Sequence, residues 1–149
     1  MRTTVQRHRQ QGPGTISLVG LARHWRVSPA GAKAICLAHG VRDTELRPRP
    51  TYRWKDIWRA EGAVNVDPLL WDAYREPLLT PKDLAGLFWE QSARALRRDL
   101  EARRWPVIEL GERTRRVRAV DVADELTIRA GEAPVRRSRL SEPEAAASP

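Results

Sequence analysis

Apolar residues recur at helical spacing in two short runs near the start of the chain, which predicts two consecutive helices. These positions are Leu18, Leu21, Ala22, Trp25, Ala32, Ile35, Cys36 and Leu37. Between the runs, Ser28 can cap a helix and Pro29 suits the first helical position. A polar loop over 42–50, an extended run over 51–54 and a helix over 55–61 follow. The pattern therefore predicts helix, tight turn, helix, loop, strand and helix.

The same order of elements returns in the second half of the chain. The segment Thr80-Pro81-Lys82-Asp83 combines a capping hydroxyl, a proline and an acid, which together favour a helix start. Ser92 is placed to cap a second helix. Two extended segments within 107–118 surround a turn at 111–114, which is typical of a β-hairpin. A last helix is predicted over 121–129.

Short segments of the two halves align with each other at an offset of 63 to 65 residues. The aligned pairs are 21–25 with 84–88, 28–30 with 92–94, and 52–57 with 117–122. Chance similarity between Ala- and Arg-rich helices is the competing explanation. A duplicated module usually binds a long or repetitive partner. Since a module of this size has a marginal core, we expect the halves to pack on each other or on a second chain.

The pattern predicts a mainly α fold with small β-hairpin wings. The predicted divisions are a basic flexible arm over 1–15, a first module over 16–62, a connecting helix over 63–78, a second module over 79–130 and a disordered tail over 131–149.

The charge balance points to a polyanionic partner. The chain has 27 Lys and Arg against 19 Asp and Glu, giving a formal net charge of +8 and a pI near 10.9. Such a protein is attracted to polyanions, and nucleic acid is the first candidate. All but Lys33, Lys55 and Lys82 of the basic residues are Arg, which suits bidentate bonds to phosphate and guanine. A GC-rich coding sequence would produce the same bias.

Several classes of function find no support in the sequence. Cys36 is the only cysteine, which excludes an intrachain disulfide and a cysteine zinc cluster. The three histidines lack metal-ligand spacing, and we expect His24 at the surface or half-buried. No phosphate-binding glycine loop or nucleophile elbow is present. We expect no catalysis, metal or cofactor, no membrane span, and a cytoplasmic, nucleoid-associated protein.

The motifs, in their order along the chain, resemble those of the excisionase and MerR-like winged-helix families. Those families combine a start such as Thr-Pro-x-Asp-Leu-Ala, a capping serine, a basic hairpin and an aspartate that opens a last helix. The second half matches at 80–85, Ser92, 111–118 and 121–122, and the first half matches at 21–22, 27–28 and 52–57. The resemblance covers 16–129 and implies two tandem winged helix-turn-helix modules.

The resemblance also implies a function. Such a protein binds double-stranded DNA at paired half-sites near an integrase attachment site, and bends or bridges DNA to bias recombination toward excision. An integrase or recombinase would be its protein partner, and self-association on DNA is compatible with this role. Related proteins also regulate transcription. A transcription factor without a recombination role therefore remains an alternative, and a protein-interaction adaptor is an alternative of another class.

In a winged module, one helix enters the major groove and the hairpin lies over the neighbouring backbone or minor groove. The candidate DNA-binding residues of the second module are Ser92, Arg94, Arg97 and Arg98 on the helix and Arg113, Thr114, Arg115, Arg116 and Arg118 on the wing. Those of the first module are Ala30 and Lys33 on the helix and Arg42, Arg47, Arg49 and Arg53 on a longer wing.

Each of these surfaces has a competing interpretation. The Arg-rich helix of the second module could be a solvated face paired with Asp99 and Glu101. The helix of the first module has one cation, and two interpretations of it compete. In one, its small residues allow close approach to thymine methyl groups, and in the other the helix contacts a protein. Six tryptophans could stack on single-stranded bases, but core positions are favoured. Trp89 is the one we expect to be exposed.

Overall fold

The computed structural model describes residues 12–87 and 91–132. Within these ranges the chain forms seven helices and two antiparallel two-stranded sheets. The expected exposure of Trp89, most of the predicted N-terminal arm and the C-terminal tail from residue 133 lie outside the described residues. The observed architecture is mainly helical with small sheets.

The N-terminal half begins with strand β1 (Thr15–Ser17), which leads directly into helix α1 (Leu18–Trp25). Helix α2 (Pro29–His39) follows after a three-residue turn. The Ser28 hydroxyl accepts a hydrogen bond from the Gly31 amide at 3.0 Å, and Pro29 occupies the first helical position. Strand β2 (Thr51–Arg53) and helix α3 (Trp54–Ala60) complete this half.

Strand pairing in the N-terminal half differs from the predicted hairpin wing. Strand β2 pairs with β1 rather than with a neighbouring strand of its own loop, in the register Ile16 to Tyr52. Gly14 accepts a further backbone bond from Trp54. The last residues of the predicted flexible arm are therefore held by the β1–β2 sheet, because pairing satisfies backbone groups that would otherwise face water alone.

The connection between the halves contains a 3-10 turn (Pro68–Leu70) and helix α4 (Trp71–Arg75). Asp67 caps the turn by accepting a hydrogen bond from the Leu69 amide at 2.9 Å. Trp71 donates its indole hydrogen to the Val66 carbonyl at 3.1 Å, which folds the connection back on itself.

Helix α5 (Pro81–Leu87) and helix α6 (Ala93–Glu101) begin the C-terminal half. Thr80 and Asp83 cap each other's amides at 3.0 Å, and the Ser92 hydroxyl accepts from the Ala95 amide at 3.1 Å. Both helix starts follow the local side-chain chemistry that the sequence predicts.

The predicted second-half hairpin is present as strands β3 (Ile108–Gly111) and β4 (Thr114–Arg116). Leu79 adds a β-bridge to Val117 beside β4. Helix α7 (Ala119–Glu132) follows and ends the described chain.

The apolar core joins the two halves, as expected for modules too small to be stable alone. The N-terminal cluster is built on Leu21, Trp25 and Ile57, and it also includes Ile108 and Leu110 of the hairpin. A second cluster fills the C-terminal half, and its buried members are Leu84, Leu96, Leu100, Trp105, Val117 and Val122. The hairpin therefore completes the N-terminal core.

The described tryptophans favour the core interpretation over base stacking. Four of them, Trp25, Trp54, Trp58 and Trp105, are at most 5% exposed, and Trp71 is half-buried. His24 is buried rather than at the surface or half-buried, and its ring meets Trp54 edge-on at 4.8 Å. The sequence prediction for His24 was wrong because its buried partners are distant in sequence.

Burial should make the single thiol unreactive in the folded protein. Burial raises the pKa of Cys36 to about 11, so little thiolate is present near pH 8. We expect iodoacetamide to modify Cys36 more than about 100-fold more slowly in the folded state than in urea. The control is Cys36→Ala with Leu37→Cys, since Leu37 is 85% exposed. Equal rates for Cys36 in both states would contradict the described core.

Candidate nucleic-acid interface

The outward face of α6 carries three exposed arginines. Arg94, Arg97 and Arg98 are exposed, while Leu96 and Leu100 on the opposite face are buried. The helical period separates the two faces, so the local sequence alone sets this arrangement. Ser92 lies at the start of the same helix, but its hydroxyl is engaged as the cap.

The two acids of α6 do not neutralise this face among the residues that the structure describes. Asp99 pairs with Arg104 at 2.8 Å, and Glu101 approaches Arg115 at 4.0 Å. No ion pair within the described ranges involves Arg94, Arg97 or Arg98. The geometry therefore does not support the alternative in which Asp99 and Glu101 pair with the arginines of this helix face.

The turn of the β3–β4 hairpin presents one exposed guanidinium. Arg113 is exposed and Thr114 is half-buried beside it. Arg115 is partly held by acids, with Glu109 at 3.8 Å and Glu101 at 4.0 Å. Glu109 also pairs with Arg103 at 2.7 Å, so this one carboxylate is shared between two arginines.

A cleft of about 370 Å³ lies between α6 and the hairpin. Four guanidinium groups and one carboxylate line it, and they belong to Arg97, Arg113, Arg115, Arg116 and Glu101. The fold thus brings one arginine of the predicted recognition helix together with three of the predicted wing. A groove with several cations and low-dielectric walls concentrates positive potential and attracts phosphate.

Arg116 reaches from this cleft to the N-terminal half. Its Nε and Nη2 atoms donate to the carbonyls of Trp25 and Arg26, both at 3.0 Å. Burial lowers the pKa of Arg116 from its usual value, although the nearby Asp83 opposes the shift. The guanidinium remains charged at neutral pH because the ordinary pKa of arginine is far higher. Arg116 therefore joins the two halves as well as lining the cleft.

The structure does not place Arg118 on the exposed wing, contrary to the sequence prediction. Its side chain is 4% exposed, and its Nη1 atom donates to Glu61 Oε1 at 2.8 Å. Its guanidinium also lies 4.0 Å from the centre of the Tyr74 ring and 3.6 Å from Asp121. We therefore exclude Arg118 from the candidate interface and assign it to the contact between the halves.

Glu61 is the centre of a buried polar cluster that sequence analysis missed. Its Oε2 atom accepts hydrogen bonds from His24 Nε2 at 2.7 Å and Trp25 Nε1 at 2.9 Å, while Arg118 binds the other oxygen. A buried carboxylate needs such partners, since an unpaired buried charge is costly. The one sequence signal was the adjacent His24-Trp25 pair, whose polar hydrogens need an acceptor when buried.

The first-half candidates are exposed but do not form a basic helix face. Ala30 and Lys33 lie on the exposed side of α2 with the 85% exposed Leu37. The remaining four candidates are all exposed, with Arg42, Arg47 and Arg49 in the loop before β2 and Arg53 at the end of β2. Among the first-half candidates, therefore, one cation lies on the predicted recognition helix and the other four lie in the loop or at the end of β2.

Comparison with known proteins assigns no relationship to this chain. No family model matches it, and no curated protein or solved structure is similar enough to show a family or a fold relative. Within residues 12–87 and 91–132, no three His, Cys, Asp or Glu side chains gather where they could hold a metal ion. The helices in the same ranges are too short or too polar to cross a bilayer.

Removing Arg118 should destabilise the protein strongly. Because Arg118→Ala leaves the fully buried Glu61 carboxylate without its cation, we expect the free energy of unfolding to fall by about 3–5 kcal/mol in urea titrations. The matched control is Arg98→Ala, an exposed arginine whose loss should change stability by less than about 0.5 kcal/mol. A loss below about 1 kcal/mol for Arg118→Ala would show that Glu61 and Arg118 are not a buried pair.

Proposed function

We propose that this protein binds double-stranded DNA through two winged helix-turn-helix modules of unequal chemistry. The observation that carries the proposal is the exposed face of Arg94, Arg97 and Arg98 beside the arginine-lined cleft. Arg is the side chain best suited to bidentate contacts with phosphate and with guanine. A helix carrying these cations on one face has the form of a major-groove reader.

In this arrangement α6 enters the major groove, and the hairpin lies over the adjacent backbone. Arg113 at the hairpin turn and Arg97 on the helix approach the same cleft from its two sides. A phosphate of the DNA backbone would occupy that cleft, while Arg94 and Arg98 remain available to base edges. Phosphate contacts fix the register, and base contacts provide the sequence preference.

The contacts between the halves hold the two modules in one relative position. Arg116 and Arg118 bridge from the hairpin to the N-terminal half, and His39 donates to the Leu110 carbonyl at 3.0 Å. Rigidly linked modules require a fixed spacing of their half-sites, of about 34 Å for successive major grooves on one face. The target should therefore be a paired site with a fixed separation.

Excisionase-like control of recombination is the biological role that we propose for this DNA binding, with an integrase or recombinase as protein partner. Regulation of transcription is the alternative of the same class, since fold and groove contacts are shared by both. A DNA-bending assay on an element's attachment site, run beside a promoter reporter, distinguishes them. A bend at the attachment site without promoter repression favours excision.

An adaptor function is the second candidate, and the exposed apolar face of α2 favours it. Ala30, Ala34 and Leu37 are exposed on this helix with Lys33 as the only formal charge among them. Such a face suits a protein better than a phosphate backbone. Failure to bind any duplex, together with co-purification of an acidic protein, would replace the DNA-binding proposal with this one.

Removal of the α6 cations should weaken DNA binding and flatten its salt dependence. For the triple variant Arg94→Ala, Arg97→Ala and Arg98→Ala, we expect affinity for a random-sequence duplex pool to fall by about 100-fold or more. The slope of log affinity against log salt should become shallower by about 2–3, because fewer counterions are released. Fluorescence anisotropy across a salt series measures both quantities.

The control removes the same charge elsewhere, through Arg23→Ala, Lys55→Ala and Arg59→Ala, which are exposed on α1 and α3. This variant should keep most of the affinity and the slope. Equal losses in the two triple variants would mean that net charge, and not the α6 face, drives binding. Wild-type binding that does not change with salt would contradict the DNA-binding proposal.

A further inference from the structure

A cavity of about 360 Å³ lies away from the arginine-lined cleft, between α3, α4 and the segment over 63–66. Six of the nine residues that line it are apolar, and they include two tryptophans, Trp58 and Trp71. Cavities that hold small molecules have volumes of about 300–1,000 Å³, so a small ligand would fit here. None of the candidate DNA-binding residues lines this cavity.

The two tryptophans of the cavity are fixed by hydrogen bonds. Trp58 donates its indole hydrogen to the Tyr74 carbonyl at 3.1 Å, and Trp71 donates to the Val66 carbonyl at 3.1 Å. Arg75 lies 5.9 Å from the centre of the Trp71 ring. Since both indole donors are engaged, the tryptophans offer the cavity apolar ring surface. A surface that is already ordered loses little conformational entropy when a ligand binds.

Two cations complete the lining of the cavity. Lys55 and Arg59 are both exposed and lie one helical turn apart on α3. Lys55 makes no ion pair with any residue in 12–87 or 91–132. Asp56 approaches Arg59 only to 3.7 Å, which is too long for a hydrogen bond. No acid lines the cavity, so a positive charge remains beside its apolar walls.

This combination fits a small planar anion. An aromatic ring suits the space beside the tryptophans, because aromatic pairs are stabilised beyond the burial of their area. A carboxylate suits the cations, since a guanidinium can bind it through two parallel N–H donors. A cationic ligand would meet Lys55 and Arg59 as like charges, and a neutral hydrocarbon would leave both without a partner.

We propose that this cavity binds a small aromatic carboxylate, with its ring against Trp58 and Trp71 and its carboxylate on Lys55 and Arg59. The inference goes beyond the proposed DNA binding and does not depend on it, because the cavity and the exposed face of α6 share no residue.

The site also adjoins the contact between the two halves. The segment over 63–66 lines a second cavity, of about 550 Å³, whose other walls include Glu61 and Arg118. A ligand held between α3 and α4 binds the folded protein and not the unfolded chain, which raises the Tm. At a concentration of about ten times the Kd, we expect the Tm to rise by about 3–6 °C.

The direct test uses three carboxylates, indole-3-acetate, 2-naphthoate and benzoate, and one cation, tryptamine. Tryptamine has the same ring as indole-3-acetate but the opposite charge. In titrations of the full-length protein followed by NMR, the indole N–H signals of Trp58 and Trp71 should shift, and those of Trp25 and Trp105 should not. We expect a Kd of about 10 μM to 1 mM for indole-3-acetate, and binding of tryptamine at least about tenfold weaker.

Substitution of the two cations tests their role. The double variant Lys55→Ala and Arg59→Ala should bind indole-3-acetate about tenfold or more weakly. The matched control, Lys33→Ala with Arg42→Ala, removes one exposed lysine and one exposed arginine outside the cavity and should bind as the wild type does. Charge reversal through Lys55→Glu and Arg59→Glu should exchange the preference, so that tryptamine binds more tightly than indole-3-acetate. Unchanged Trp25 signals verify that each variant is folded.

The outcomes separate this inference from the proposed function. The inference is overturned if none of the three carboxylates shifts the signals of Trp58 and Trp71. Equal binding of tryptamine and indole-3-acetate to the wild type, or an equal loss in the control variant, would also overturn it. If the protein binds the carboxylates but no duplex, the DNA-binding proposal fails and this inference stands.

Discussion

The buried carboxylate of Glu61 is the constraint on which the arrangement of the whole molecule depends. A charge removed from water must be paired, and the three groups that pair it come from α1 and from the segment between β4 and α7. Meeting this requirement fixes the end of the hairpin against the N-terminal half. The hairpin then adds Ile108 and Leu110 to the N-terminal core, so electrostatic and apolar contacts lock the same orientation.

The arginines at the contact between the halves differ in their surroundings from those at the outer part of the cleft. Arg116 and Arg118 turn inward, where they bind backbone carbonyls and a buried carboxylate. Arg97 and Arg113 line the cleft and are exposed to solvent. A dense run of arginine in a sequence is thus not a uniform charged surface. The inward arginines hold the hairpin against the N-terminal half, whereas the outward arginines remain exposed to solvent.

Local chemistry explains which parts of the fold were predictable. The starts of α2, α5 and α6 depend on Ser28, Thr80 and Ser92 bonding to amides three residues away, and the sequence places these pairs together. The β1–β2 pairing and the burial of Arg118 were missed because their partners are distant. Glu61 lies 57 residues before Arg118, and no local pattern marks either residue as buried.

The same distinction holds for the candidate site. Helical periodicity identified the exposed face of α6, whereas the cleft that joins Arg97 to the hairpin is a tertiary feature. The exposure of Leu46 is also a tertiary feature, because it depends on the closure of the loop before β2 by Thr44 and Thr51. The hydropathy of the sequence does not predict it.

The shared core has a consequence for the history of such a chain. Two segments of similar pattern form a single cooperative unit, because Ile108 and Leu110 of one complete the apolar interior of the other. Neither segment can be deleted, exchanged or reordered without exposing the interior of its neighbour. A substitution at Ile108 or Leu110 in the second segment therefore alters the interior of the first, so the two segments cannot change in sequence independently of each other.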